Sequence, residues 1–208
     1  MTAPRTAYAL QRHEVTWGEL ELAATLDGVA QLSRPSWVPR RAAARAALPA
    51  TGVPWGVARA FCKSLGGDLP SEPEWEWAAR GPELRPFPWG DSALDARTVH
   101  FLARGRVPVA AVGTSKQDRT PGEPGIDDLL ANAQEWTRDV WTAATPDAAA
   151  DPDARAVRGW PLRRPGNAIP AEGVSYRQRL CVADTCKSTA DLSRVGFRCA
   201  LHRASAPR

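Results

Sequence analysis

The chain has 208 residues, 43% hydrophobic and 24% charged, enough for one sizeable core and short for two ordinary domains. No apolar run approaches the ~18–20 residues that cross a bilayer, and the opening stretch lacks the apolar segment of a signal peptide. No membrane insertion and a cytoplasmic location by default are the expectations. The formal charge of +4 conceals a split: residues 155–208 hold eleven Lys and Arg against three Asp and Glu, whereas residues 1–154 hold sixteen against twenty. Those arginines are scattered among small and apolar residues without a zinc-finger, helix-turn-helix or RNP pattern, which argues against nucleic acid and for pairing with internal acids and carbonyls.

Nineteen prolines and sixteen glycines point to short elements and much loop, and nine tryptophans supply rigid anchors. Thr16-x-x-Glu19 reads as a capping box with Val15 and Leu20 as its hydrophobic staple, predicting a helix over 17–26. Pro54 opens a second over 55–65, where Ala58, Phe61, Cys62 and Leu65 recur at helical spacing before Gly66-Gly67. Ser71-x-x-Glu74 caps a third over 72–80, with Trp75, Ala78 and Ala79 on one face and Glu72 and Glu76 on a solvated one. Residues 82–90 read as loop, Val107 to Ala111 as a short strand, 115–125 as polar turns and 134–141 as a strand-like segment. The low-complexity stretch 142–154 reads as an exposed loop, and Val195 to Ala200 as an internal strand returning the C-terminus to the core. The cysteines at 62, 181, 186 and 199 contain no CxxC, and the histidines at 13, 100 and 202 give no zinc-finger spacing.

Several ordered segments carry a resemblance: VPWGVARAFCKSLGGDLPSEPEWEWAARG at 53–81, Phe87-Pro88-Trp89-Gly90, GIDDLLANAQEWTRDVW at 125–141, Arg158-Gly159 and Val195-Gly196-Phe197-Arg198, with Glu14-Val15-Thr16 near the start. Together they resemble the formylglycine-generating enzyme, or sulfatase-modifying factor, family. The resemblance implies an α+β fold, a loop-rich variant of the C-type-lectin-like fold, as one domain over residues 9–203 with flexible ends at 1–8 and 204–208. The strand and M-G motif that usually precede E-V-T are largely missing, which leaves an edge for an oligomer or complex partner to cover.

The family's active site holds one copper(I) between two cysteine thiolates, soft ligands for a soft ion, and converts a substrate cysteine to formylglycine. The resemblance sets Cys181 at the second of these positions and Tyr176 at the first. A phenol is a hard, high-pKa donor and does not replace a thiolate, so Cys181 is either a surviving ligand or a small thiol filling a vestigial pocket. The resemblance also pairs Cys62 with Cys186, as a disulfide in an oxidising compartment and as thiols in a reducing one. It implies Ca²⁺ at Asn132 and Glu135, set against an ordinary capped turn. Trp160, between turn formers, together with Arg163, Arg164, Arg177 and Arg179, is either a groove for a protein or peptide partner or a surface cap. The expectation is a non-catalytic protein-binding or structural subunit; the alternative is a copper-dependent oxidase of protein cysteine.

Overall fold

The computed structural model describes residues 3–4, 7–23, 25–26, 29–92, 109–115, 117–143, 149–160, 171–182 and 192–202. Both capping boxes form. Thr16 accepts from the Glu19 amide while the Glu19 carboxylate accepts from the Thr16 amide, starting helix α1, Trp17–Leu22, with Val15 and Leu20 fully buried beside it. The helix stops short of the expected bound, where the Ala23 N–H turns back to the Leu20 carbonyl. A single turn, α2, Ala42–Arg45, follows. Helix α3, Trp55–Ser64, starts behind Pro54 and buries Ala58, Phe61 and Cys62. Ser71 and Glu74 cap α4, Glu72–Arg80, which ends on Gly81 at φ +64°, a left-handed position that favours glycine.

Among the described residues six short strands complete the α+β architecture: β1, Tyr8–Leu10; β2, Gln134–Thr142; β3, Ala150–Arg158; β4, Gln178–Cys181; β5, Val195–Gly196; and β6, Ala200–His202. One sheet runs β4-β3-β2-β5, antiparallel except for the parallel β2–β5 edge, and a ribbon pairs β1 with β6. β1 takes Tyr8 out of the segment expected to be flexible, and its hydroxyl donates to the Glu74 carbonyl at 2.6 Å. The stretch read as an exposed loop at 142–154 is strand from Ala150 on. Its Ala and Asp residues lack a hydrophobic alternation, and pairing with β2 and β4 decides its structure. Val195 to Ala200 is not one strand: its ends join different sheets. Residues 109–111 form no strand, and Val107 lies outside the described residues.

The buried apolar residues among those described form two clusters. Val15, Leu20, Phe61, Leu69, Trp136 and Phe197 belong to one; Trp75, Ala79, Phe87, Leu129, Leu130 and Val174 belong to the other. Between them lies an ion pair without solvent. Arg198 and Glu135 are both 0% exposed, with Nη2 2.7 Å from Oε1 and Nε 2.8 Å from Oε2. The rest of the guanidinium donates to the carbonyls of Gln11, Arg12 and Asp127 at 3.0–3.1 Å. Trp75 Nε1 donates to Glu135 Oε2 at 2.8 Å, so the pair also fixes α4.

The expected Cys62–Cys186 pairing does not form. Cys62 is bonded to Cys199, with Cα atoms 5.3 Å apart. The cause is the reciprocal backbone bond between Asp68 and Ala200, which lays the C-terminal segment along the end of α3. Non-reducing peptide mapping should yield a Cys62–Cys199 fragment and no Cys62–Cys186 fragment. Arg198→Met should lower unfolding free energy by about 3–5 kcal/mol in urea, because it strands the Glu135 charge. Adding Glu135→Gln should recover only part, since the carbonyls stay unpaired.

Candidate functional site

The residues expected to hold Ca²⁺ are built into the core. Asn132 sits at φ +67°, a conformation asparagine tolerates better than most, and its amide closes on Ala110, accepting from its N–H at 2.8 Å and donating to its carbonyl at 3.3 Å. Glu135 gives both oxygens to Arg198 and Trp75. As arranged, this set does not fit a calcium site, because Glu135 would first have to release Arg198. Among the described residues no group of three or more His, Cys, Asp or Glu side chains is placed to hold a metal ion.

Three further buried carboxylates surround that pair electrostatically, and none stood out in the sequence. Burial, then Asp128, pushes Glu14 well up, and its Oε2 has no hydrogen-bond partner. Burial and Asp128 push Asp118 up to about 7, against bonds from the Leu130 and Ala131 amides. Burial also raises Asp128 to about 6, opposed by the Gly113 amide and Arg198. The signal was present as Glu14 in the E-V-T segment and Asp127-Asp128 in the G-I-D-D segment, but nothing local marks a carboxylate as buried.

The face expected to hold copper or a partner is formed by the end of β3, the 3-10 turn Ala171–Ser175 and β4. Tyr176 stands edge-on to Trp160, ring centroids 5.0 Å apart at 68°. The backbone N–H of Trp160 donates to the Leu130 carbonyl at 2.7 Å, and its half-buried ring packs against the second apolar cluster with the indole N–H unpaired among the described residues. On β4 the side chains alternate: Leu180 enters the core, and Arg179 and Cys181 share the opposite face. Arg179 Nη1 lies 3.7 Å from Cys181 Sγ, and its Nε donates to Asp151 at 2.7 Å. Cys181 is disulfide-bonded, so its sulfur is not a free thiolate; its partner lies outside the described residues, as do Cys186, Arg163 and Arg164.

Arg177 does not open a positive groove. It forms a two-point pair with Glu72, with Nη2 2.6 Å from Oε1, and lies 4.8 Å from the Trp141 ring centroid. Glu72 is therefore buried instead of solvated, and Arg158, 2% exposed, reaches Glu72 at 3.3 Å and Glu76 at 2.8 Å. Helical position alone made these glutamates look exposed; the partners arrive from about 80 to 105 residues away in the chain.

A loop-rich α+β domain with a buried arginine–glutamate centre and tryptophan-bearing turns defines the class. The chain belongs to the sulfatase-modifying factor enzyme 1-like domain family, which matches residues 2–203. It is 30% identical over 163 residues to the formylglycine-generating enzyme of Bos taurus, covering 73% of this chain and 43% of that protein. It is 35% identical over 164 residues to the inactive C-alpha-formylglycine-generating enzyme 2 of Bos taurus, covering 74% of this chain and 50% of that protein. The chain thus spans half or less of the length of these curated relatives. PvdO from Pseudomonas aeruginosa superposes with a TM-score of 0.63 at 23% identity, over 94% of this chain and 80% of its own. CarF superposes with 0.61 at 14% identity, over 95% of this chain and 87% of its own, and both likenesses concern the fold.

A carboxyl whose folded pKa exceeds its unfolded value binds more protons folded than unfolded, so its stabilising contribution is present at low pH and lost on raising pH. For Asp118, moved from 3.8 to about 7, stability should fall as pH rises from about 4 to about 7. Asp118→Asn keeps an oxygen for the Leu130 and Ala131 amides and should melt above the wild type at pH 7.5 in chelator. The gap should close at pH 4.

Proposed function

We propose that this chain is a non-catalytic protein- or peptide-binding domain on the formylglycine-generating enzyme scaffold. The observation that carries this reading is the state of the two copper positions: Cys181 has its sulfur in a disulfide, and Tyr176 is packed on Trp160. A hard phenol beside a committed sulfur is a poor donor set for a soft ion. Relatives named as active and as inactive enzymes both match, so descent alone does not choose. The edge a partner chain would cover is β1, which among the described residues pairs with β6 alone and lies beside half-exposed Leu201.

A second reading, copper-dependent oxidation of a protein cysteine to formylglycine, is favoured by one observation. Cys199 instead of Cys186 holds Cys62, and Cys186 stands at the same five-residue spacing from Cys181 as Tyr176 does. Titration of reduced protein with Cu(I) against a strong chelator, beside incubation with copper, oxygen, a reductant and a C-x-P-x-R peptide, separates the two. The expected result is neither chelator-resistant binding nor peptide aldehyde. Both together, lost in Cys186→Ser, would establish the oxidase instead.

A further inference from the structure

Residues 28–67 hold six Lys and Arg and no Asp or Glu. Acids from outside the stretch neutralise most of these cations. Glu21 of α1 takes Arg34 and, with both oxygens, Arg45, and Asp68 takes Arg59 and Lys63. Arg40 and Arg41 are left over. Both are exposed, and among the described residues neither side chain makes a hydrogen bond or an ion pair. Arg41 is the N-cap of α2 and gives that helix no side-chain bond, so neither guanidinium contributes a contact to the fold.

An independent observation concerns the apolar surface beside them. Leu22, the last residue of α1, is 89% exposed, more than any other large hydrophobic side chain among the described residues. Ala42, Ala43, Ala44, Ala46 and Ala47 are exposed as well. The Glu21–Arg45 pair joins the two features: Glu21 precedes Leu22, and Arg45 Nη1 donates to the Arg40 carbonyl. The Gly18 amide donates to the Ala46 carbonyl at 3.0 Å and holds α1 against α2. Unbalanced cations and uncovered methyl groups thus lie side by side, and the acid nearest to them, Glu21, is already taken by two arginines.

We propose that this face of α1 and α2 docks an acidic polypeptide segment, with carboxylates on Arg40 and Arg41 and an apolar side chain against Leu22 and the alanine methyls. The proposal rests on the peptide-binding reading above and names the face and the chemistry of its partner. Charge complementarity sets the sign of that partner. The number of cations sets its class. Nucleic-acid binding of the usual strength draws on roughly 6–10 phosphate contacts, and recognition of anionic lipid on clusters of about 4–8 Lys and Arg. Arg40 and Arg41 alone fall short of both. A carboxylate, by contrast, is matched by a single guanidinium through two parallel bonds, and the apolar groups beside the arginines suit a side chain better than a phosphate backbone.

The probe is a blocked Ala-Glu-Leu-Glu-Ala peptide titrated calorimetrically into the full chain at low salt, beside the same peptide with glutamine in place of both glutamates. The acidic peptide should bind about tenfold or more tighter, with an affinity that falls on adding salt. Arg40→Gln combined with Arg41→Gln should erase that preference at an unchanged melting temperature, whereas Lys63→Gln, which removes an exposed cation already paired with Asp68, should leave it. Leu22→Ser should weaken both peptides alike. If the double variant unfolds, Ala43→Glu sets a carboxylate on the exposed face of α2 and should abolish binding of the acidic peptide. No binding of the acidic peptide, equal binding of both peptides, undiminished preference in the double variant or in Ala43→Glu, unchanged affinity in Leu22→Ser, or tighter binding of phosphatidylserine vesicles or of a single-stranded oligothymidylate each overturns the assignment. The probes contain no cysteine, so this face can fail while the non-catalytic reading stands. Aldehyde formation in the copper assay would remove that reading without touching the face.

Discussion

Arg198 carries a charge where no water reaches, and acceptors from three separate segments hold it there: Glu135, and the carbonyls of residues 11, 12, 127 and 128. A guanidinium offers five donors in one plane, so a single side chain ties the N-terminal arm, the turn before β2 and β2 itself to the C-terminal segment. Glu135 is needed to make that charge tolerable, and its second oxygen then has a use in positioning Trp75. Arg198 is the principal relief for the nearby Glu14 carboxylate, whereas Asp118 and Asp128 are relieved first by backbone amides, those of Ala131 and Leu130 and that of Gly113, and then by Arg198. Burial wins over that relief, and all three are pushed toward the neutral form.

The charge split along the sequence becomes, in the fold, a set of bonds between the halves. Arg158 and Arg177 meet Glu72 and Glu76 of α4, Arg179 meets Asp151, and Arg198 meets Glu135. Arg155 contributes in another way, its guanidinium 4.4 Å from the Trp55 ring centroid, with Arg59 at 5.2 Å. A basic tail that could have signalled a polyanion partner is, in its described arginines, largely consumed by the acids and aromatic faces of its own chain.

What the sequence disclosed was what local rules govern. Thr16 with Glu19 and Ser71 with Glu74 encode helix starts within four residues, and both are present as read. The family motifs gave the fold class for a similar reason: each is a contiguous string. What stayed hidden depends on residues far apart. Ala150 to Ala154 becomes strand through its neighbours, Glu72 is buried by arginines from another part of the chain, and Asn132 and Glu135 turn inward because Ala110 and Arg198 claim them. The cysteine pairing failed on the same ground. Four cysteines permit three pairings, and the choice fell to a backbone bridge between Asp68 and Ala200 that no spacing rule contains.

The Cys62–Cys199 bond spans 137 residues, so almost two thirds of the chain is a covalent ring with two arms leading out of it. A single protease cut anywhere between 63 and 198 opens the ring without releasing a piece, and the molecule keeps its mass on a non-reducing gel. Strands β2 to β5, α4 and the Glu72 pairs lie within this ring, so the noncovalent contacts can hold the nicked halves in register at an effective concentration no free fragment could match. Such a domain tolerates wounds in its loops that would dismantle an open chain. Reductant supplied after the cut would turn that tolerance into dissociation.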